Sequence, residues 1–304
     1  MRSTIRSSWP LRSARWPTQT RCAGRAGCSR RHQRHTGGGT FHLEAFRHAI
    51  GRDSRLRDLP SRFSSANASN PVFHRLKVKV KDEIVALHQG DVDVSRTAGM
   101  HVNAAQWNAL LADEDVLVID TRNDYEVAVG SFPGAVNPQT KSFREFPAWV
   151  ERNLDPGRDR RIAMFCTGGI RCEKASAYLR QCGFDEVYQL EGGVLNYLET
   201  VGADDRFPNR FLGECFVFDQ RVAVTDDLAQ GEFVSCRACR TPLDASAMAD
   251  DAYVEGISCP HCAQSVSDAR RAGFAERIRQ ERLAASRGTR HVGARMNDQP
   301  GSGR

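Results

Sequence analysis

The chain has 304 residues, 40% of them hydrophobic and 26% charged, with 43 Lys+Arg, 37 Asp+Glu and a formal net charge of +6. That length fits about two domains, no run approaches the roughly 18 to 20 apolar residues of a membrane span, and ten cysteines without a secretory signal are too sparse for a disulfide framework, so a reducing, cytoplasmic setting is expected. The excess charge suits an acidic partner such as a nucleic acid, but residues 1–43 hold nine Arg and no acid, residues 263–304 nine Arg and four acids, and residues 44–262 only 25 basic against 33 acidic residues.

In chain order, residues 1–40 show neither a helical nor a strand period. Arg-rich, Ser-containing and acid-free, they read as an organelle transit peptide, a disordered segment or a stretch outside the native reading frame. Leu43 to Ile50 reads as a helix. Phe73 to Lys81 alternates apolar and basic residues, the period of a half-buried strand. Residues 90–99 are polar and read as a linker. A helix over Ala104–Leu111 and a strand over Val116–Asp120 follow. A second strand, Ile162–Phe165, runs into the loop Cys166-Thr167-Gly168-Gly169-Ile170-Arg171-Cys172. Then come a helix, Glu173–Gln181, stopped near Gly183, and a strand, Glu186–Leu190. Strand, loop, helix, strand is the pattern of a parallel α/β sheet. A Cys-rich segment and a basic helix over Ala269–Ala285 complete the chain, ahead of a Gly/Arg-rich end expected to be disordered.

Cys166 stands where a strand ends and a Gly-rich loop feeds a helix. Such a loop aims backbone N–H groups and the helix dipole at one point, and Arg171 adds a full positive charge. A thiolate or persulfide placed there is stabilised, with its pKa lowered. Cys166 is therefore the candidate nucleophile; the alternative is an inert buried cysteine beside a structural turn. Cys172, six residues on, is either a resolving thiol or a packing residue. Cys182 and Cys215 read as core residues.

Cys236-x2-Cys239 and Cys259-x2-Cys262, with 19 residues between the pairs, have the spacing of a four-thiolate structural zinc site; two unrelated pairs, or a redox pair, are the alternatives. His261 reads as a bystander. Candidate phosphate-tracking groups are Arg75, Lys77, Lys79 and Lys81 on the alternating strand, and Arg270, Arg271, Arg277, Arg279 and Arg282 on the basic helix. A solvated charged face is the competing reading of each.

Residues 97–200 resemble a rhodanese domain in Asp120, Arg122, Glu126, Gly130–Val136, the Cys166–Arg171 loop and Glu191-Gly192-Gly193. The run from Phe165 to Leu179, Leu190 to Val194, Arg210 to Asp219 (RFLGECFVFD) and Phe73 to Leu87 together resemble the oxygen-dependent tRNA uridine(34) hydroxylases. That resemblance covers about residues 40–262. It implies conversion of a tRNA wobble uridine to 5-hydroxyuridine, O2 as co-substrate with a reductant the sequence does not name, tRNA as partner and Cys166 as catalytic residue. Persulfide sulfur transfer and a non-catalytic rhodanese scaffold are the competing functions.

The family's Glu-Gly-Ile-Asn-Gly-Thr segment is missing, and Arg30–His35 stands in its place. Codons CGA AGG CAT CAA CGG CAC for those six residues, read one nucleotide later, give Glu-Gly-Ile-Asn-Gly and the start of Thr. Ala26–Ser29 shifts likewise to Leu-Val-Ala-His. The expected organisation is a disordered or frame-shifted segment at 1–40, a partial α+β domain at 41–90, a rhodanese-like parallel sheet with flanking helices at 97–200, a zinc-ribbon-like segment at 205–265, and a basic helix and tail at 266–304.

Overall fold

A computed structural model describes residues 23–28, 34–37, 40–54, 56–58, 76–80, 83, 85–89, 92, 94–204 and 206–288. Arg75 and Lys81 lie outside the described residues. In the N-terminal part, β1 (Ala23–Cys28), β2 (Arg34–Gly37), α1 (Thr40–Gly51) and β3 (Leu76–Val80) form one α+β unit. Its sheet has the order β2-β1-β3, with β1 antiparallel to β2 and parallel to β3. Two strands thus lie within residues 1–40, where the sequence shows no strand period. β1 overlaps the residues that the shifted frame would read as Leu-Val-Ala-His.

The stretch expected as a linker carries a short helix, α2 (Val94–Thr97), and ends in a fixed position. Gly99 N–H donates to Ser176 Oγ at 2.8 Å, and its carbonyl accepts from Gln189 Nε2 at 3.0 Å. A Cβ at Gly99 would meet the Val187 carbonyl at 2.6 Å, so only glycine lets the chain approach the sheet here.

The central unit runs β4 (Met100–Val102), α3 (Ala104–Leu111), β5 (Leu117–Asp120), α4 (Asp124–Val127), β6 (Gly130–Ser131), α5 (Phe146–Asn153), β7 (Arg161–Phe165), α6 (Ile170–Gln181), β8 (Glu186–Leu190) and α7 (Gly193–Gly202). Its four-stranded sheet has the order β4-β8-β7-β5, parallel throughout. Both faces are covered, which is why β7 reads as a continuous apolar run rather than an alternation. Ala163 and Phe165 face one core with Trp107, Phe132, Tyr197 and Leu198. Ile162, Met164 and Cys166 face the other with Ile119, Phe146, Leu179 and Val187. Phe165 meets Trp107 and Phe132 edge-on, at 5.7 and 4.9 Å between centroids. The helix starts are locally encoded: Asn103 and Gln106 cap α3 reciprocally, each side chain accepting the other's backbone N–H at 3.0 Å. β4, α5 and α7 carry no clear signal in the sequence.

Beyond α7 lie β9 (Leu212–Gly213), β10 (Cys215–Phe216), β11 (Ala223–Val224), β12 (Val234–Ser235), β13 (Pro242–Leu243), α8 (Ala245–Ala249) and α9 (Asp268–Ser286). β9 pairs with β6, which ties this segment to the central unit close to the Cys166 loop. No described helix is long and apolar enough to cross a membrane.

Candidate active site

β7 delivers Cys166 to the C-terminal edge of the sheet, and α6 begins at Ile170, three residues earlier than its sequence pattern indicates. The loop proper is therefore Thr167-Gly168-Gly169, and Arg171 and Cys172 belong to the first helical turn. The backbone N–H groups of Arg171 and Cys172 donate to the Cys166 sulfur.

α7 holds the loop from the other side. Val194 N–H donates to the Cys166 carbonyl at 2.9 Å and Leu195 N–H to the Thr167 carbonyl at 3.1 Å. Gly193 makes this docking possible: it has a φ of +69°, and a Cβ there would lie 2.3 Å from the Cys166 carbonyl oxygen and 2.6 Å from Gly169 N. No other residue fits that approach.

Cys166 is buried, with 2% of its surface exposed. Burial opposes ionisation most strongly, but a hydrogen bond from the Cys172 thiol, the Arg171 charge and the two backbone N–H groups override it and lower the Cys166 pKa to about 6. The Cys172 thiol moves the other way, well above its ordinary value, through burial and through donating to Cys166. Thr121 Oγ1 stands 3.5 Å from Cys172 Sγ and donates to the Phe165 carbonyl at 2.9 Å. Cys172 is thus a fully buried thiol that assists its neighbour's ionisation.

Arg171 is fixed by Glu126. The pair is bidentate, Nη1 to Oε1 at 2.6 Å and Nη2 to Oε2 at 2.7 Å, and both residues are buried. Thr167 Oγ1 donates to Glu126 Oε2 at 3.3 Å. Behind them, Arg122 and Asp120 form a second buried pair, Nε to Oδ1 at 2.8 Å, and Arg122 Nη2 donates to the Gly130 carbonyl at 2.6 Å. Ser131 Oγ donates to Asp120 Oδ2 at 2.9 Å. These contacts lock the end of β5 to the β6 turn and place α4, hence Glu126, beneath the loop. In the sequence Glu126 is only a landmark; its partner lies 45 residues away, and nothing local marks the pairing.

The other cysteines divide. Cys215 is buried at β10, as expected. Cys182 is not a core residue: it is exposed at the C-terminal end of α6, beside the exposed Arg180 and Gln181.

Cys236, Cys239, Cys259 and Cys262 converge, with all four sulfurs within 4.8 Å of one another. The Cys236–Cys262, Cys239–Cys259 and Cys259–Cys262 sulfur separations are 4.0, 3.6 and 3.7 Å. A tetrahedral ion with metal–sulfur bonds of about 2.3 Å needs sulfur–sulfur edges of about 3.8 Å, so this cluster could hold such an ion. His261 is exposed.

The basic helix α9 braces that cluster. Arg271 donates to the Ala263 carbonyl, Arg277 Nη2 donates to the Gly256 carbonyl at 3.3 Å, and Arg237 pairs with Glu281 at 2.5 Å. Arg270 and Arg277 also lie over Phe274, at 5.7 and 5.1 Å. Arg279 pairs with Glu276 at 2.7 Å. Of the strand residues, Lys77 and Lys79 stand two apart on β3. The structure therefore gives Arg271 and Arg277 a packing role at the Cys-rich segment, well apart in sequence from the Cys166 loop.

Residues 103–200 match the family of the Rhodanese-like domain. Among solved structures, the chain is similar to the Rhodanese-like domain of an Anabaena sp. protein, at 21% identity over 37% of this chain and 78% of that one, with a TM-score of 0.29. A rhodanese-related protein from Thermoplasma volcanium is 24% identical over 33% of this chain and 92% of that one, with a TM-score of 0.28. A rhodanese-like domain protein from Staphylococcus aureus is 24% identical over 32% and 90%, with a TM-score of 0.28.

Proposed function

We propose that this chain, whose residues 103–200 form a rhodanese-like α/β domain, hydroxylates the wobble uridine of tRNA to 5-hydroxyuridine with Cys166 as nucleophile. The observation that carries the chemistry is the Cys166 setting: a thiol with a pKa lowered to about 6, fed by two backbone N–H groups, the Cys172 thiol and Arg171. The resemblance of Phe73–Leu87, Phe165–Leu179, Leu190–Val194 and Arg210–Asp219 to the tRNA uridine(34) hydroxylases selects the substrate.

A thiolate adds at C6 of a uracil and makes C5 nucleophilic toward an oxygen electrophile. Loss of the C5 proton then expels the thiolate and restores the ring. One oxygen atom of O2 ends on C5, the other leaves as water, and two electrons and two protons come from an external reductant. The residues of this chain keep the sulfur ionised before attack and stabilise it as it leaves.

We further propose that Cys236, Cys239, Cys259 and Cys262 hold a structural zinc ion, since four thiolates leave no open coordination position for catalysis. Arg75, Lys77, Lys79 and Arg270 stand as candidate RNA contacts alongside Arg271 and Arg277, whose guanidiniums already bind carbonyls.

Sulfur transfer is the second reading, because the loop alone supplies what it needs: Cys166 takes a sulfane sulfur as a persulfide and passes it to a small thiol or cyanide. Deleting the gene and measuring tRNA nucleosides by mass spectrometry separates the two. Loss of 5-hydroxyuridine-derived nucleosides, restored by the wild type but not by Cys166→Ser, is the expected result. Unchanged nucleosides in a strain with no second enzyme for the same product sink the hydroxylase reading.

A further inference from the structure

Phe218 is 49% exposed, and it is the one exposed Phe, Tyr or Trp among the residues whose side-chain burial is described. It ends the run Phe216-Val217-Phe218, whose first two members are buried. Its ring is nonetheless braced. Phe216 meets it edge-on at 5.2 Å, and Tyr125 braces Phe216 in turn at 5.3 Å. Arg171, the cation of the Cys166 loop, places its Cζ 5.8 Å from the centre of the Phe218 ring. A held, solvent-facing aromatic therefore stands beside the group that charges the thiolate loop.

We propose that Phe218 is the platform on which the reacting uracil stacks. This rests on the wobble-uridine reading. Addition of a thiolate at C6 requires the base to be out of its own stack and held at a fixed height above the sulfur. Proteins that capture unstacked RNA bases do so on aromatic faces and guanidinium planes. Phe218 supplies the aromatic face, on a support shared with the loop through Arg171, Glu126 and Tyr125. A small thiol or cyanide has no ring to stack, so sulfur transfer gives Phe218 no task.

The test is an affinity cycle on the full chain. Binding is measured to an anticodon stem-loop RNA with uracil at the wobble position, and to the same RNA with an abasic nucleotide there. The wild type is expected to prefer the uracil RNA by about 5- to 150-fold, the range that aromatic–base stacking supplies. Phe218→Leu keeps an apolar side chain against Phe216 and is expected to bind both RNAs as the wild type binds the abasic one. Phe218→Trp is expected to keep the preference, which separates loss of stacking from loss of fold. Equal wild-type affinity for the two RNAs, or a preference that survives in Phe218→Leu, overturns the assignment. Failure of the wobble-uridine reading shows elsewhere, as unchanged nucleosides after gene deletion, so the two outcomes are distinguishable.

Discussion

Arg171 and Glu126 face each other as a buried bidentate pair, at 2.6 and 2.7 Å, directly beneath the loop that carries Cys166. The carboxylate keeps the guanidinium within range of the sulfur, and the guanidinium gives a fully buried carboxylate its counter-charge. Removing either partner strands the other in a dry environment. Glu126→Ala and Arg171→Ala are each expected to cost about 3 to 5 kcal/mol of stability, with the double variant costing less than the sum. Urea unfolding of the four proteins checks this; fully additive losses would show that the pair is not a unit.

The pH dependence of Cys166 follows from its depressed pKa. Its alkylation rate, read from the Cys166 peptide by mass spectrometry, is expected to rise through an inflection near about 6. Cys172→Ala removes a donor to the thiolate and moves the inflection upward; Cys172→Ser keeps an O–H donor and moves it less. The same linkage makes the folded state gain from ionised Cys166 above the ordinary thiol pKa of 9.0 and lose that gain as pH falls through about 6. An inflection left in place by Cys172→Ala would remove that thiol from the account.

Gly193 is where α7 touches the loop. Gly193→Ala forces a Cβ to 2.3 Å from the Cys166 carbonyl oxygen, at a φ of +69°. The expected result is at least about a tenfold fall in activity, since small displacements of a reacting group cost orders of magnitude. Gly202→Ala, at the far end of the same helix with nothing within 4 Å of its Cβ, is the control, with stability unchanged or raised by about 0.4 to 1 kcal/mol. Equal activity in the two variants would contradict the docking role.

Metal content tests the Cys-rich segment. Purified protein is expected to hold one zinc ion per chain by elemental analysis, and a Cys236→Ser, Cys239→Ser variant none. Loss of the ion should also release α9, because Arg271, Arg277 and Glu281 bind the segment around the four thiols. Limited proteolysis should then cut within Asp268–Ser286 in the variant and spare the wild type. Metal-free wild-type protein with α9 protected would point to a cluster held by packing alone.

The sequence by itself determined the parts written in local pattern. Apolar runs flanked by turns mark β5, β7 and β8, glycine after a strand marks the loop, and two CxxC pairs mark the thiol cluster, because each signal depends on residues a few positions apart. What only the tertiary structure decided depends on distant partners. Glu126 meets Arg171 across 45 residues, and Gly193 meets Cys166 through close backbone approach. Cys182, hydrophobic in type, lies exposed because its helix ends there. Arg271 and Arg277, whose charges the sequence suits to phosphate, also bind carbonyls of the Cys-rich segment. Phe218 follows two buried apolar residues, yet its ring, packed against Phe216 and Arg171, faces solvent. Composition and spacing specify which groups are present; the converging chain specifies which charges are neutralised and which surfaces stay open, since burial and pairing are properties of the folded arrangement.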